Sequence, residues 1–392
     1  MCIMMGNIKM PSLKHYWATN FLYNHPFFGR FISRNRFETT LLSCLTFYDN
    51  TDNTSQRIHK IKNVVEHIVT NIQEIYSPGR NLSLDEALLL WRGRLFFRQY
   101  IPNKAAKYGI KLYELSTPNG FILNILIYEG KGTVYNQSSS HAHGVVQKLM
   151  DPYLNKGHVV YIDNFYTSVN LAESLLQQKT HIVGTLRKNR KFNPKEVINK
   201  KLAKGESVWK RKGNVVVGKW KDKREVCMIS TYHEFKMVNW KNSRGIESMK
   251  PNIIIDYNQF MAGVDRADQM MSYYSTPRKT VRWYIKLFFH LFDMCIWNSM
   301  IIFKKVTGKK ISYLNFRDEL TKSLLESNQN TSNDNMFASH YLKKISKRVR
   351  CRNCSKNRKR KLTSYICNGC SSSNKTIGLC PTCFHQYLHN QI

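Results

Sequence analysis

The chain has 392 residues, of which 61 are Lys or Arg and 26 are Asp or Glu, so its formal net charge is +35. Hydrophobic residues make up 42% of the chain, which is enough for a sizeable core and excludes wholesale disorder. An enzyme that acts on small neutral metabolites rarely needs so strongly positive an electrostatic field. The charge therefore predicts a polyanionic partner, either nucleic acid or an anionic membrane surface.

Neither a membrane span nor a secreted, disulfide-bonded protein is predicted. The most apolar stretch, residues 283–303, is interrupted by polar side chains, and the first residues lack the apolar centre of a signal peptide. We expect an intracellular, reducing location, where paired cysteines indicate metal rather than disulfides. Four cysteines lie apart and are interpreted as small core residues: Cys2, Cys44, Cys227 and Cys295.

In chain order, residues 1–105 form a mostly helical region that is rich in aromatic side chains. Residues 106–186 alternate between strand and helix patterns, beginning with a hairpin of two strands. Thr167 or Ser168 is expected to cap the second helix of this part. The order of these elements predicts an α/β fold around a mixed sheet of the ribonuclease-H-like kind.

The remaining chain is predicted to divide into four parts. They are a strand-rich basic insertion (187–250), a second part of the core with two long helices (251–325), a polar linker (326–342) and a small zinc-binding domain (343–392).

Three aspartates stand where a catalytic metal could bind. Asp163 follows an apolar strand, where open α/β sheets place their sites, although a cap or loop aspartate is the plain alternative. Asp265 and Asp268 share one face of a predicted helix, which would equally suit an ordinary solvated face. Together the three would suit Mg²⁺, and two such ions would stabilise both oxygens of an in-line phosphoryl displacement.

Basic residues cluster at four places that would suit a phosphate backbone. Any one cluster is typical of a solvated face, but with the net charge they predict double-stranded DNA binding that weakens with salt. The last cluster, in NRKRK (357–361), would also serve as a nuclear localisation patch. The residues are Arg187, Lys188, Arg190, Lys191, Lys221, Lys223, Arg224, Arg278, Lys279, Arg282, Arg358, Lys359 and Arg360.

The most specific local pattern is three C-x2-C pairs followed by two histidines in the last domain. Eight ligands suffice for two tetrahedral Zn²⁺ sites, although spacing alone does not fix the pairing. A cross-braced arrangement would place Cys351, Cys354, Cys380 and Cys383 on one ion, and Cys367, Cys370, His385 and His389 on the other.

Several segments resemble the piggyBac transposases and the proteins derived from piggyBac transposable elements, most specifically DNFYTS (163–168) and GVDRADQ (263–269). The resemblance implies a ribonuclease-H-like core with an insertion, a helical region for homodimerisation and DNA binding, and a cysteine-rich domain that reads element ends. It also implies cut-and-paste transposition at TTAA targets with Mg²⁺ and three aspartates. Asp163 matches the second of these and Asp265 the third, with Asp268 as its helical neighbour.

The first aspartate of the family is expected at the stretch LSTPNG (115–120), where this chain has Thr117. Glu114 is close by, but on the opposite face of an alternating strand, and Asp85 matches an acidic position outside the family's metal site. Losing one carboxylate should weaken metal binding and catalysis.

We therefore expect a nuclear DNA-binding protein derived from a transposase, with impaired catalysis and neither a membrane nor a small-molecule substrate. One alternative is an active transposase with a substitute carboxylate. The other is a factor whose zinc domain binds chromatin or protein.

Overall fold

The computed structural model describes residues 1–48, 57–102, 104, 106–131, 133, 140–241, 244–276, 279–330, 342–357, 359–368, 371 and 376–384. The chain forms two compact units, Met1–Arg317 and Asp318–Ile392.

A mixed sheet is the centre of the first unit. Within the described residues it has nine strands in the spatial order β2–β3–β1–β5–β6–β9–β8–β7, with β4 also paired to β3. The strands are β1 (Asn81–Leu90), β2 (Gln99–Tyr100), β3 (Tyr108–Ser116), β4 (Ile122–Ile127), β5 (Val159–Ile162), β6 (His181–Thr185), β7 (Ser207–Lys212), β8 (Val215–Lys221) and β9 (Glu225–Ser230).

Strands β1, β5 and β6 run parallel, and their neighbours on both sides run antiparallel. All four residues of β5 are buried. An unbroken apolar run of this kind is typical of a parallel strand covered by helices on both faces. The centre of the sheet is therefore β5 with its two parallel partners.

Helices surround this sheet. In the first unit they are α1 (Cys2–Asn7), α2 (Pro26–Phe31), α3 (Arg34–Phe37), α4 (His59–Ile75), α5 (His141–Met150), α6 (Val169–Gln177), α7 (Lys195–Asn199), α8 (Asn252–Phe260), α9 (Gly263–Tyr273) and α10 (Trp283–Thr307). Helix α11 (Tyr313–Asn330) follows, and short 3₁₀ or π turns occupy Leu13–Trp17, Glu38–Ser43 and Asp151–Tyr153.

The elements predicted between residues 106 and 186 are present, and the fold is mixed α/β. The hairpin forms β3 and β4, and the two following strands form β5 and β6. Ser168 caps α6, since its hydroxyl accepts a hydrogen bond from the Leu171 N–H at 3.1 Å.

The predicted boundary at residue 105 differs from the structure, because β1 and β2 lie before it. The segment NLSLDEALLL is rich in Leu, Ala and Glu, which are good helix formers, and so its local preference favours a helix. Pairing with β3 on one side and β5 on the other overrides that preference. The sheet core therefore starts at residue 81.

The predicted insertion is also largely part of the sheet. Strands β7, β8 and β9 extend it beyond β6 through antiparallel pairs. Only β10 (Met237–Lys241) and β11 (Glu247–Pro251) form a separate two-stranded ribbon. The basic segment thus widens the sheet rather than forming an independent domain.

Aromatic packing organises the N-terminal residues, as their composition predicts. Tyr16 and Phe28 are fully buried, with ring centroids 4.6 Å apart in an edge-to-face arrangement. The buried Arg317 attaches this region to the rest of the unit. Its guanidinium donates to the Ile3 carbonyl and Asn7 Oδ1 and lies 3.5 Å from Asp293.

Helix α10 is long and apolar enough to span a bilayer by length and composition alone. More than half of its most apolar window is buried inside the protein, and it packs against α4 and α9. Its buried Asp293 accepts hydrogen bonds from Thr276. These features are typical of the core helix of a globular protein.

The second unit is built on a short hairpin. Strands β12 (Leu342–Arg350) and β13 (Leu362–Cys367) pair antiparallel, and α12 (Arg352–Lys356) lies between them. The predicted linker differs from the structure at its start, because α11 continues to Asn330, and residues 331–341 lie outside the described part. Buried cysteines form the small core of this unit.

Candidate catalytic and metal sites

Asp85 lies at the middle of the sheet, next to Asp163. Leu84 on β1 pairs with Ile162 on the parallel strand β5, so the residues that follow, Asp85 and Asp163, lie side by side. On its other side, Asp85 pairs with Glu114 of β3. Three adjacent strands therefore bring three carboxyl groups to one level of the sheet.

Helix α9 adds two aspartates above this level. It packs against β1 and β3. The helix approaches closely at Gly263, where an added Cβ would clash with Ser116 Oγ and the Thr117 carbonyl oxygen. Asp268 is half-buried, whereas 69% of the Asp265 side chain is exposed. Both line a cavity of about 450 Å³ together with Lys104.

Two further side chains interact with these carboxylates. Burial raises the pKa of Tyr257 on α8, and the charges of Asp163, Asp85 and Asp265 raise it further. The ammonium of Lys104 lies 3.9 Å from Asp265 Oδ1 and donates a hydrogen bond to the Glu86 carbonyl at 2.7 Å. The charges of all three aspartates therefore act on Tyr257, and Lys104 balances part of their charge.

Burial raises the pKa values of three of these carboxyl groups. Burial raises the pKa of Asp85 to about 7, while the charge of Lys104 lowers it and the charges of Glu86 and Asp163 raise it. Burial also raises the pKa of Asp268 to about 6 and raises that of Asp163. Carboxylates are the hard oxygen ligands that Mg²⁺ and Mn²⁺ prefer, so the donor chemistry suits such an ion. Among the described residues, however, no three of these carboxylates bring their oxygens within 4.8 Å of one another.

The structure places Thr117 apart from the level of Asp85 and Asp163. Thr117 lies in the turn after β3, where its hydroxyl accepts a hydrogen bond from the Phe121 N–H at 3.1 Å and contacts Asn119. The pairing register places it near Leu82, away from the level of Asp163. Asp85 occupies the adjacent position instead, so the change at Thr117 removes no carboxylate from this cluster.

The family resemblance places Asp85 outside the metal site, and the composition of β1 did not indicate a strand. A signal was present, since LSLDEALLL contains two acidic residues within an otherwise apolar run. Buried carboxylates are costly unless paired or bound to a metal, so an acid in such a run marks a candidate site.

Four of the predicted DNA-binding residues lie at the same end of the sheet as Asp163. Arg187 Nε donates to Asn164 Oδ1 at 3.0 Å, and Arg190 bonds the carbonyls of Asn164 and Phe165. Lys188 is paired with Glu225 at 2.5 Å. Lys191 is exposed on the same loop. The loop is thus fixed to the segment that directly follows Asp163.

A second basic group approaches this loop from β8 and β9. The β8–β9 turn contains Lys221, Lys223 and Arg224, and the antiparallel pairing of β9 with β6 directs that turn to the same end of the sheet. Lys223 and Arg224 are exposed. Two of the predicted clusters therefore meet beside the carboxylates.

The other predicted basic residues are divided between the two units or lie outside the described part. Arg282 is half-buried and bonds the Leu45 carbonyl at 3.3 Å, and Lys279 is exposed. Lys359 and Arg360 are exposed in the second unit. Arg278 and Arg358 lie outside the described residues.

The second unit contains a candidate metal centre. The thiols of Cys351, Cys354, Cys380 and Cys383 lie within 4.8 Å of one another. The Cys354 sulfur is 3.9 Å from that of Cys380 and 3.4 Å from that of Cys383. A tetrahedral Zn²⁺ with Zn–S bonds of about 2.3 Å separates its sulfurs by about 3.8 Å, so this cluster fits zinc.

Hydrogen bonds among the thiols shift their pKa values in opposite directions, and the hydrogen bond with Cys383 raises the pKa of Cys354 to about 12. Burial opposes ionisation of Cys380, but hydrogen bonds from the Cys383 N–H and the neighbouring thiols outweigh it and lower its pKa to about 6. The four-cysteine set is the one that the sequence pattern predicts for one ion. In the other predicted set, Cys367 is buried, and Cys370, His385 and His389 lie outside the described residues.

Known proteins are similar in sequence to this chain over most of its length. A family model described as Transposase IS4 matches residues 1–300. The human PiggyBac transposable element-derived protein 3 is 25% identical over 402 residues, which cover 93% of this chain and 65% of the relative. The human protein 2 of the same name is 23% identical, covering 90% and 64%. The chain thus spans less than two thirds of the length of these relatives.

A solved structure agrees with the sequence relatives. The cryo-EM structure of the piggyBac transposase synaptic complex with hairpin DNA superimposes with a TM-score of 0.74 at 29% identity, covering 85% of this chain and 71% of that one. The family model, the sequence relatives and the structural neighbour agree, and this chain belongs to the piggyBac transposase family.

Proposed function

We propose that this chain is a metal-dependent DNA transposase of the cut-and-paste type, in which Asp85, Asp163 and the α9 aspartates bind the catalytic cations. The placement of these carboxylates on β1, β5 and α9, with Asp85 next to Asp163, is the observation that supports the proposal most directly. This placement favours an active enzyme over a DNA-binding protein with impaired catalysis, because Thr117 does not occupy a position in this cluster.

The order of the strands supports a ribonuclease-H-like core within this proposal. Strands β1, β3 and β4 form an antiparallel set, and β5 and β6 continue parallel to β1. Asp163 directly follows β5, in the region where open α/β sheets bind their ligands.

Each part of the site would then have a definite task. When bound, two Mg²⁺ ions would stabilise the attacking and leaving oxygens of an in-line displacement at phosphorus. Arg187, which is exposed beside Asp163, would bind the DNA backbone and orient the phosphate. The β8–β9 turn would extend this contact along the duplex. Lys104 would hold the carboxylates together before a cation binds.

The finer parts of the proposal follow the family. We propose TTAA as the target, a homodimer as the working assembly, and the nucleus as its location, the last supported by the basic cluster at residues 357–361. The structural neighbour is described as a synaptic complex with hairpin DNA, which supports DNA as the partner of this chain. A chromatin- or protein-binding role of the zinc-containing unit is the second candidate.

Nicking of supercoiled plasmid in Mn²⁺ tests the proposal. Wild-type protein should nick the plasmid, and Asp85→Asn and Asp163→Asn should each reduce the rate by at least about 10³-fold, since loss of a metal carboxylate removes transition-state stabilisation. Asp151→Asn, on an exposed turn, is the matched control and should retain the wild-type rate. Wild-type protein that binds plasmid but neither nicks it nor binds Mn²⁺ would support the catalytically impaired alternative instead.

A further inference from the structure

Lys111 on β3 is a buried lysine whose ammonium lacks an acceptor in the described structure. Only 9% of the residue is exposed, and lysines are rarely buried to this extent unless they are paired. Among the described residues, no carboxylate oxygen lies within 4.0 Å of its Nζ, and no group accepts a hydrogen bond from it. The Nζ is not among the fully enclosed polar atoms, so it reaches solvent. Its charge is therefore available to an anion from outside the protein.

Aromatic rings hold this ammonium in place. The Nζ of Lys111 lies 4.7 Å from the ring centroid of Tyr113 and 4.9 Å from that of Phe165. The guanidinium carbon of Arg187 lies 5.7 Å from the centroid of the same Phe165 ring. A ring face attracts cations but accepts no conventional hydrogen bond, so the three N–H donors of Lys111 remain unused. Two cations thus share one ring, and both keep donors for a ligand.

The pairing of the strands places Lys111 beside the segment that follows Asp163. Lys111 pairs with Leu88 of β1, whereas the parallel strand β5 ends opposite Leu84. Lys111 therefore lies beyond the end of β5, in the region where open α/β sheets bind their ligands. Phe165 comes two residues after Asp163, and its contact with the ammonium places the lysine at this edge of the sheet.

Neutralising the nearby carboxylates is the alternative task for this lysine. Burial lowers the pKa of Lys111, and the charges of the neighbouring carboxylates, that of Glu86 first, raise it. No carboxylate in the described part of the chain is within ion-pair distance of it, however. Lys104, in contrast, lies 3.9 Å from Asp265 Oδ1. Direct contact with a carboxylate therefore belongs to Lys104, and Lys111 retains its donors.

We propose that Lys111 binds a phosphate of the DNA backbone, next to Arg187, at the edge where β5 ends. The inference rests on the proposed function, because it takes DNA as the partner. A phosphate oxygen would give the ammonium the acceptor that it lacks, and lysine binds phosphate as a point charge. The buried stem is already ordered between rings, so binding costs less side-chain entropy than at an exposed lysine. Lys111 stands alone in an apolar strand, which is why it belongs to none of the predicted basic clusters.

Anisotropy titrations of a short fluorescein-labelled duplex with the zinc-loaded full chain, in buffer without Mg²⁺ or Mn²⁺, test the inference without turnover. Lys111→Met keeps the length of the side chain and should weaken binding about tenfold, the loss expected for one charge-assisted hydrogen bond. It should also reduce the magnitude of the salt slope by about 0.9, which corresponds to one phosphate contact. Its thermal midpoint should be no lower than that of wild type, because the change removes an unpaired buried charge.

Lys104→Met is the charge-matched control. It removes one positive charge from the same end of the sheet, but from a lysine that contacts a carboxylate. This variant should change the duplex affinity and the salt slope much less than Lys111→Met. In calorimetric titrations it should bind Mn²⁺ more tightly than wild type, because a competing cation is gone, whereas Lys111→Met should bind Mn²⁺ as wild type does.

The outcomes distinguish the inference from the function on which it rests. Unchanged duplex affinity and salt slope in folded Lys111→Met, with wild type binding and nicking DNA, would overturn the role of Lys111 alone. Equal weakening by Lys104→Met and Lys111→Met would also overturn it, since only the general field would then be at work. Tighter Mn²⁺ binding in Lys111→Met with unchanged duplex affinity would assign Lys111 to the carboxylates instead. Wild-type protein that binds no duplex would remove both this inference and the proposed function.

Discussion

At the scale of single residues, Asp85 and Thr117 show how position in a sheet decides what a side chain can do. Both lie in or beside the central strands, but only Asp85 is at the level of Asp163. Thr117 is nearly buried and completes the turn between β3 and β4. The register places residue 117 opposite Leu82, three positions along β1 from Asp85, while its turn packs against the first residues of α9.

Thr117→Asp should gain no Mn²⁺ affinity and should lower the free energy of unfolding. The Asp would bury a charged group in a turn that a neutral hydroxyl now completes, at a cost of about 1–3 kcal/mol. Thr117→Val is the control, because it removes the hydroxyl without adding charge and should cost about 1 kcal/mol. Urea unfolding and Mn²⁺ titration measure the two effects. Tighter Mn²⁺ binding in Thr117→Asp would contradict this prediction, because it would show that the first metal-binding carboxylate belongs at residue 117 in the β3–β4 turn.

His290 on α10 should make the protein lose stability in mild acid. Burial lowers the pKa of His290 to about 4, and its ring Nε2 is buried without a partner in the described structure. The unfolded chain has the higher pKa of about 6.5, so it binds more protons between these values. Stability should fall as the pH drops from about 6.5 to 4. The full shift corresponds to about 3 kcal/mol, and partial exposure of the ring reduces it to about 2 kcal/mol.

His290→Leu tests this pH dependence, since it removes the titrating group. The difference in unfolding free energy between wild type and His290→Leu should shift in favour of the variant as the pH falls from 7 to 4. His67→Asn, at an exposed position of α4, controls for the loss of one histidine. A difference that stays constant between pH 7 and pH 4 would show that His290 does not titrate in this range.

At the scale of secondary structure, α9 is positioned by one glycine. Gly263 begins the helix, and an added Cβ would clash with Ser116 Oγ and the Thr117 carbonyl oxygen. Gly263→Ala should therefore cost about 1–3 kcal/mol by overpacking. It should also weaken Mn²⁺ binding, because the shift would displace Asp268.

Gly29→Ala is a matched control for this change. Gly29 is in helix α2, with no atom within 4 Å of an added Cβ, so the same substitution should raise stability by up to about 1 kcal/mol. Differential scanning calorimetry and Mn²⁺ titration check both variants. If Gly263→Ala keeps wild-type stability and affinity, the helix is not held by close contact at this point.

The same elements show how far the sequence alone defines the fold and the site. Strand β5 is four apolar residues bounded by turns, and Ser168 precedes the apolar positions of α6, so both were predictable from local pattern. Strand β1 was not, because its composition favours a helix and only its pairing with β3 and β5 makes it a strand. The position of Asp85 beside Asp163 depends on that pairing, whereas Asp163 and Asp268 follow from local patterns.

At the scale of the whole molecule, the two units should respond differently to loss of zinc. The second unit has a small core made mostly of cysteines, so metal binding supplies much of its folding free energy. The first unit has an extensive apolar core around its sheet. A chelator should therefore abolish amide protection in peptides from 342–384 and leave protection in β1 and β5 unchanged.

Two cysteine variants separate the zinc effect from general cysteine loss. Cys380→Ser should reproduce the effect of chelator on hydrogen exchange. Cys227→Ser, a buried position in β9, should leave the second unit protected. Retained protection of residues 342–384 in chelator would exclude a structural zinc at the four-cysteine centre.

DNA affinity should depend steeply on salt, because the basic residues at one end of the sheet are part of a chain whose net charge is +35. Each phosphate neutralised adds about 0.9 to the slope of log affinity against log salt concentration. With six or more contacts, affinity for a plain duplex should fall by about 10³-fold or more between 50 and 200 mM salt.

Arg187→Ala should reduce the magnitude of this slope by about one. Lys148→Ala, at an exposed position of α5, should change it less. Anisotropy titrations at several salt concentrations measure these slopes. A flat salt dependence would mean that this edge of the sheet is an ordinary solvated surface, and DNA would then have to be bound elsewhere.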